Sequence, residues 1–183
     1  MMFARTERLL LRPAWPEDAT ALAQAIGHES IARMAARVPH PYTPDDARNW
    51  LAQPCGATEP RFMITALDRG GAPELIGGIA IIAGDTGHEL GYWLTPSAWG
   101  RGYATEAGRA VVAMARHALP IRRLGAWHFA DNPASGRVLT KLGFRPTGER
   151  MARASIGRGG SAPSIHYAID LEDHRSGSMP LAA

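Results

Sequence analysis

The segment with the clearest capacity for chemistry is Trp99-Gly100-Arg101-Gly102-Tyr103-Ala104-Thr105-Glu106. It joins an alternating, strand-like run to a stretch of helical periodicity. Gly100 and Gly102 have no Cβ, so the chain can turn tightly and bring backbone N–H groups against a ligand. The helix that follows starts with unpaired N–H groups and the positive end of its dipole, and Arg101 adds a full charge. Together these suit a phosphate. Taken alone, Gly-x-Gly is more often an ordinary turn into a helix. Thr105 stands at the third glycine position of Gly-x-Gly-x-x-Gly, and no Gly-Lys-[Ser/Thr] is present. Dinucleotide-dehydrogenase and NTPase readings are therefore disfavoured.

Other reactive side chains are sparse. His88 and Glu89 are neighbours on the alternating run His88–Leu94, so they point to opposite faces and only one can face a site. His128 lies in the strand-like run Arg123–Phe129 and reads as a packed or edge histidine. Asn132-Pro133 opens a short helix, with Asn132 as its cap and Ser135 at its third position. Cys55, the single cysteine, has no base nearby in the sequence that would make it a nucleophile. It cannot form an internal disulfide, and no Cys/His cluster has zinc spacing, so no metal is expected.

These residues need a scaffold, and the chain supplies one. Thr6–Pro13 reads as a strand, Pro16-Glu17-Asp18 opens a helix ending at Gly27, and a loop containing Pro39 and Pro41 follows. Thr43 and Asp46 form a variant capping box for a helix to about Gln53. Arg61–Leu67, Leu75–Ala83 and His88–Leu94 are apolar, β-branched or alternating runs joined by short Gly-rich turns, which implies an antiparallel meander. Tyr103–Leu119 carries Ala107, Ala110, Val111 and Met114 on one stripe. After strand Arg123–Phe129 and the helix ending at Gly143, Phe144–Met151 and Ile165–Leu171 complete the strands, with Gly157-Arg158-Gly159-Gly160 as a flexible turn. The order predicts an α/β (α+β) domain, a mixed sheet with helices on its faces, over residues 1–173, with 174–183 as a loose tail.

Composition narrows the class. The 183 residues are 45% hydrophobic with mean hydropathy −0.17, as expected of a globular domain with a real core. No apolar run reaches membrane-span length, and the start lacks a signal-peptide apolar region, so a cytoplasmic location is expected. Of 20 basic residues, only Lys141 is lysine. Residues 1–90 carry eight basic and eleven acidic side chains, the remainder twelve and six. The halves thus differ in sign, and the basic half could hold a localised anion. Mixed charges without aromatic interleaving do not suggest nucleic acid.

The strand ending at Leu94, then Trp-Gly-Arg-Gly-Tyr-Ala-Thr-Glu-Ala, then Asp131-Asn132-Pro133-Ala134-Ser135 and Lys141-Leu142-Gly143-Phe144, resembles the GNAT superfamily of acetyl-CoA-dependent N-acetyltransferases. With the opening Thr-Glu-Arg-Leu-Leu-Leu-Arg-Pro, it is most similar to the branch containing ribosomal-protein alanine and serine N-terminal acetyltransferases. The resemblance spans about residues 6 to 171. It implies the GNAT fold, a largely antiparallel sheet of about seven strands with helices on both faces. The family loop is Gln/Arg-x-x-Gly-x-Gly/Ala; Gly102 and Ala104 match, whereas Trp99 replaces Gln or Arg.

The resemblance implies that Trp99, Gly100, Arg101, Gly102, Tyr103, Ala104 and Thr105 cradle the coenzyme pyrophosphate. It implies that Trp93, Leu94 and Thr95 pair with pantetheine through backbone groups, which requires a splayed strand edge, for instance from a bulge near Gly91. It makes Glu89 the candidate base, against a plain strand carboxylate, and Asn132 and Ser135 candidate coenzyme contacts, against simple helix capping. Ser135 is also a candidate acid, because Leu139 holds the position where many members have a tyrosine. Glu149 reads as an exposed carboxylate. The implied activity is acetyl transfer from acetyl-CoA to a primary amine, either a protein N-terminus or a small molecule, by a monomer or homodimer. The acceptor cleft falls at about Ala25 to Tyr42, and the acidic half hints at a cationic acceptor. The alternatives are an acyl-CoA-binding module without turnover and, third, a nucleic-acid binder.

Overall fold

The computed structural model describes residues 3–84 and 87–171; the expected tail lies outside the described residues. Strands β1 (Ala4–Arg5) and β2 (Leu9–Arg12) lead to a 3-10 turn at Pro16–Asp18 and helix α1 (Ala19–Ile26). Helix α2 (Glu29–Ala32) and helix α3 (Pro44–Leu51) follow, then strands β3 (Arg61–Ala66), β4 (Glu74–Gly84) and β5 (Gly87–Leu94). Helix α4 (Tyr103–Ala118), strand β6 (Arg123–Phe129), helix α5 (Pro133–Lys141) and the long hairpin β7 (Arg145–Ser155) and β8 (Gly160–Asp170) complete the chain.

Eight strands form one sheet in the order β1-β2-β3-β4-β5-β6-β8-β7. All neighbours are antiparallel except β5 and β6. The expected count of about seven is exceeded because the first strand is broken at Thr6, whose backbone N–H turns back to the Leu9 carbonyl. The loop expected between α1 and α3 contains the single turn α2, which Glu29 starts and no Pro interrupts.

Helices cover both faces. On one, α4 and α5 bury Val111, Ala115 and Leu139 against Leu9, Ile64, Ile81 and Leu90. On the other, α1 and α3 pack Leu22, Ile26 and Ala47 against Met63 and Trp93. Strand β3 is therefore buried on both sides, and its Phe62–Ala66 run is continuously apolar apart from Thr65. The caps read from sequence form: the Thr43 Oγ1 accepts from the Asp46 N–H (3.2 Å) and the Asp46 carboxylate accepts from the Thr43 N–H (2.8 Å). Helix α5 ends where Gly143 adopts φ 91°, with the Phe144 N–H on the Leu139 carbonyl and the Gly143 N–H on the Thr140 carbonyl.

Candidate active site

The sheet is split in the middle. Strands β5 and β6 pair only at His88↔Leu124 and Glu89↔Gly125, then diverge towards Leu94 and Phe129. No bulge at Gly91 produces this: β4 and β5 keep one register from Gly77↔Leu94 to Gly84↔Gly87. The splay lies wholly on the β6 side. The Thr95 N–H bonds the Ile76 carbonyl (2.8 Å), so alternate residues of β5 direct their backbone groups to β4 and the rest to the split. Leu90, Tyr92 and Leu94 face the split; Trp93 and Thr95 face β4. Of the three residues expected to pair with pantetheine, the alternation brings only Leu94 to the open edge, and Tyr92 joins it. The Leu94 carbonyl is already taken by the Trp99 indole N–H (2.8 Å), which gives that departure from the family loop a structural task.

At the wide end sits the glycine loop. Gly100 and Gly102 adopt φ 74° and 82°, conformations that an L side chain resists. Gly102 is the N-cap of α4, and the first bond into the helix runs from the Glu106 N–H to the Gly102 carbonyl. The N–H groups of Tyr103, Ala104 and Thr105 stand ahead of that ladder. These residues and the split together fit an extended, pyrophosphate-bearing coenzyme. Arg8 braces the loop: its Nη1 donates to the Arg101 carbonyl (3.0 Å) while Nε and Nη2 grip the Glu106 carboxylate at 2.8 and 2.6 Å. Thr6 Oγ1 (2.5 Å) and the Arg8 backbone N–H (2.9 Å) also donate to Glu106. Burial pushes the Glu106 carboxyl upward, but these donors outweigh it and hold it below the usual carboxylate range.

The charge pattern does not converge on the loop as a whole. Arg101 is there, but its brace, Arg8, comes from the acidic half. Arg109, Arg116, His117 and Lys141 instead line a cavity of about 310 Å³ between α4 and α5.

The split is bridged on each face. On the α4–α5 face, Tyr92 reaches from β5 to α5, its hydroxyl 2.7 Å from Ser135 Oγ and donating to the Ser135 carbonyl (3.2 Å). Burial, opposed by the Ser135 hydrogen bond, pushes Tyr92 up to about 12, so it stays protonated at neutral pH. The sequence reading missed Tyr92; strand parity with Leu90, which faces the same helices, was the available signal. Asn132 caps α5 through Oδ1, which accepts the Ser135 N–H (3.3 Å), and its amide N–H groups have no partner among the described residues. Leu139 is fully buried core.

On the α1–α3 face, Glu89 spans the split. Its Oε2 accepts the Trp127 indole N–H (3.0 Å) and its Oε1 accepts Arg153 Nη2 (3.1 Å). Arg153 lies flat over Trp127, 4.7 Å from the ring centre. His166 faces the same side, opposite Trp127 in the ladder. Burial first, then Arg153, hold His166 below the usual imidazole range. His88 points away, to Thr58 (2.9 Å). His128 is buried and bonded through Nδ1 to the Phe129 carbonyl (2.8 Å). Glu149 and Cys55 are exposed, and no group of metal-ligand side chains occurs among the described residues.

The hairpin of β7 and β8 roofs this face. The turn expected to be flexible is a 3-10 turn, Ile156–Arg158, docked on the segment after α2. Ser155 Oγ donates to the Ala35 carbonyl (2.8 Å), the Ile156 N–H to the Ala36 carbonyl (2.9 Å) and Arg158 Nε to the Arg33 carbonyl (2.6 Å). A Cβ on Gly157 would come within 2.6 Å of the Ala32 backbone. The hairpin tip thus docks directly on part of the expected acceptor segment, Ala25 to Tyr42.

Known proteins share this fold. The family model described as acetyltransferase (GNAT) domain matches residues 8–145. The uncharacterized N-acetyltransferase YoaA of Bacillus subtilis (strain 168) is 32% identical over 148 residues, 78% of this chain and 82% of YoaA. A GNAT-family acetyltransferase from Bacillus anthracis superposes with a TM-score of 0.77 at 25% identity, covering 94% of this chain and 100% of its own. The ribosomal-protein-S5-alanine acetyltransferase from Vibrio fischeri shares the fold, with a TM-score of 0.77 at 19% identity over 94% of this chain and 98% of its own.

Proposed function

Because the chain belongs to the GNAT acetyltransferase family, and is with it an acyl-CoA-dependent acetyltransferase, we propose that it moves the acetyl group of acetyl-CoA to a primary amine by direct attack in a ternary complex. The observation that carries the reading is the split sheet with Glu89 at its apex on one face and the Tyr92–Ser135 pair on the other. Pantetheine lies in the split along Tyr92 and Leu94, and the pyrophosphate lies on the loop Trp99–Thr105. Asn132 offers its free amide N–H groups to the same coenzyme. The acceptor enters on the α1–α3 face of the split, beside Glu89 and Arg153. Glu89 takes a proton from its ammonium, and the neutral amine attacks the thioester carbonyl. The C–N bond forms, the C–S bond breaks, and the second proton of the attacking nitrogen passes to the departing sulfur, to which the Ser135–Tyr92 pair donates a hydrogen bond.

Calorimetric titration with acetyl-CoA, followed by thiol release with a panel of primary amines, tests the reading. Binding with amine-dependent release is expected. No heat at millimolar acetyl-CoA would overturn it, and binding without release for any amine would leave an acyl-CoA-binding module. The buried Leu139 motivates that alternative, but Tyr92 offers a hydroxyl where Leu139 has none.

A further inference from the structure

Two arginines stack on neighbouring aromatic rings of β6, and they differ in one respect. Arg158 lies over Phe129 (4.6 Å) with both Nε and Nη2 used: Nη2 bonds both oxygens of Asp131 (2.8 and 3.0 Å) and Nε bonds the Arg33 carbonyl (2.6 Å). Arg153 lies over Trp127 and uses only one of the two. Its Nη2 reaches Glu89, but its Nε is buried with no acceptor among the described residues. Nε and Nη2 are the adjacent donors of the side-on fork with which a guanidinium takes a carboxylate. Glu89 cannot fill that fork, because its second oxygen is fixed on Trp127. The fork is therefore half-occupied, and a desolvated donor left empty is unfavourable until an oxygen reaches it. The Arg153 side chain is 26% exposed and that of Glu89 12%, while Nε itself is buried, so the fork opens fully only when Glu89 Oε1 leaves Nη2.

Resting on the acetyl-transfer reading above, we propose that the acceptor is a zwitterion, a free amino acid whose carboxylate and amine sit one or two carbons apart. The carboxylate takes both Nε and Nη2 of Arg153. Glu89 Oε1, released from Arg153 but still anchored through Oε2, then meets the ammonium. One ion pair is replaced by two, and the base is freed only when the correct acceptor arrives. A peptide N-terminus, which has an amide where the carboxylate would be, fills neither donor as an anion. Arg153 acts here as the specificity-determining residue, and Glu89 as the base it restrains.

Thiol release is measured with the free L-amino acids and with their α-amides, in wild-type protein and in Arg153→Gln and Arg153→Lys. Wild type is expected to favour the best free acid over its amide by about tenfold or more in kcat/KM, the range of a charge-assisted bidentate contact. Arg153→Gln should collapse that ratio to about one while still turning over the amide, and Arg153→Lys should retain part of the ratio. Equal or reversed preference in wild type overturns the proposal, as does an Arg153→Gln protein whose acid-to-amide ratio is unchanged. If no amine supports release, the acetyl-transfer reading fails. Titration of the coenzyme A-loaded protein with the same compounds then decides the site: Arg153-dependent binding of acids over amides supports it, and no preference refutes it.

Discussion

Replacing Glu106 by alanine should loosen the coenzyme loop and the first strands together. Its carboxylate receives Thr6 Oγ1, the Arg8 N–H and both Arg8 Nε and Nη2, and is 17% exposed. Hydrogen bonds to a charged group contribute about 1.5–3 kcal/mol each, but not additively. Arg8 is 33% exposed, so water reclaims it when its partner is gone, and Thr6 Oγ1 already lies 3.4 Å from the Leu9 carbonyl. A loss of about 2–3 kcal/mol follows, or roughly 5–10 °C in Tm for a domain of this size. The folded-state carboxyl sits below its ordinary value, so its stabilisation is complete above the unfolded-state value and is lost as pH falls through the folded one. Circular-dichroism melts of wild type and Glu106→Ala at pH 7 and at steps down to pH 3 should show the gap narrowing on the acid side. A gap below about 0.5 kcal/mol at pH 7, or one constant with pH, would refute this account of the brace.

Four further changes probe the rest of the site. Glu89→Gln should lower thiol release by about 10² or more while leaving acetyl-CoA affinity within about twofold by calorimetry. Gly102→Ala meets only Arg8 at 3.5 Å but must hold φ near 82°, so about 1–2 kcal/mol of strain should appear in urea melts, together with weaker acetyl-CoA binding. Gly157→Ala places its Cβ against the Ala32 backbone, so limited proteolysis should cut the hairpin tip faster and the acceptor KM should rise with kcat less affected. Tyr92→Phe removes the hydroxyl beside Ser135; slowed thiol release without loss of acetyl-CoA binding is expected, and unchanged release would remove Tyr92 from the chemistry.

What was legible in the sequence is local. Thr43 with Asp46, Asn132 with Pro133, and Gly143 each fix a helix end through bonds spanning at most five residues, and all form as read. Strand Arg123–Phe129 has the bounds its sequence predicts, and Leu124, Ala126 and His128 are its buried face. The sequence could not show which distant side chains would meet. Arg153 to Glu89, Arg8 to Glu106 and Tyr92 to Ser135 are consequences of strand order, not of spacing. The family resemblance implies the split, but its cause is not a bulge at Gly91: a bulge is a local device, and this divergence is a relation between two strands. The charge asymmetry misled for the same reason: the arginine that braces the glycine loop arrives from the half counted as acidic.

The seam at His88 and Glu89 has a mechanical meaning as well. Strands β1–β5 and β6–β8 are two half-sheets sharing two ladder positions, each with its own cooperative hydrogen-bond network. Opening along that seam exposes little backbone, so it is the natural line of sub-global unfolding. A molecule seated there works as a missing rung. Its binding should register less as a change of shape than as slower amide exchange on both sides of the seam.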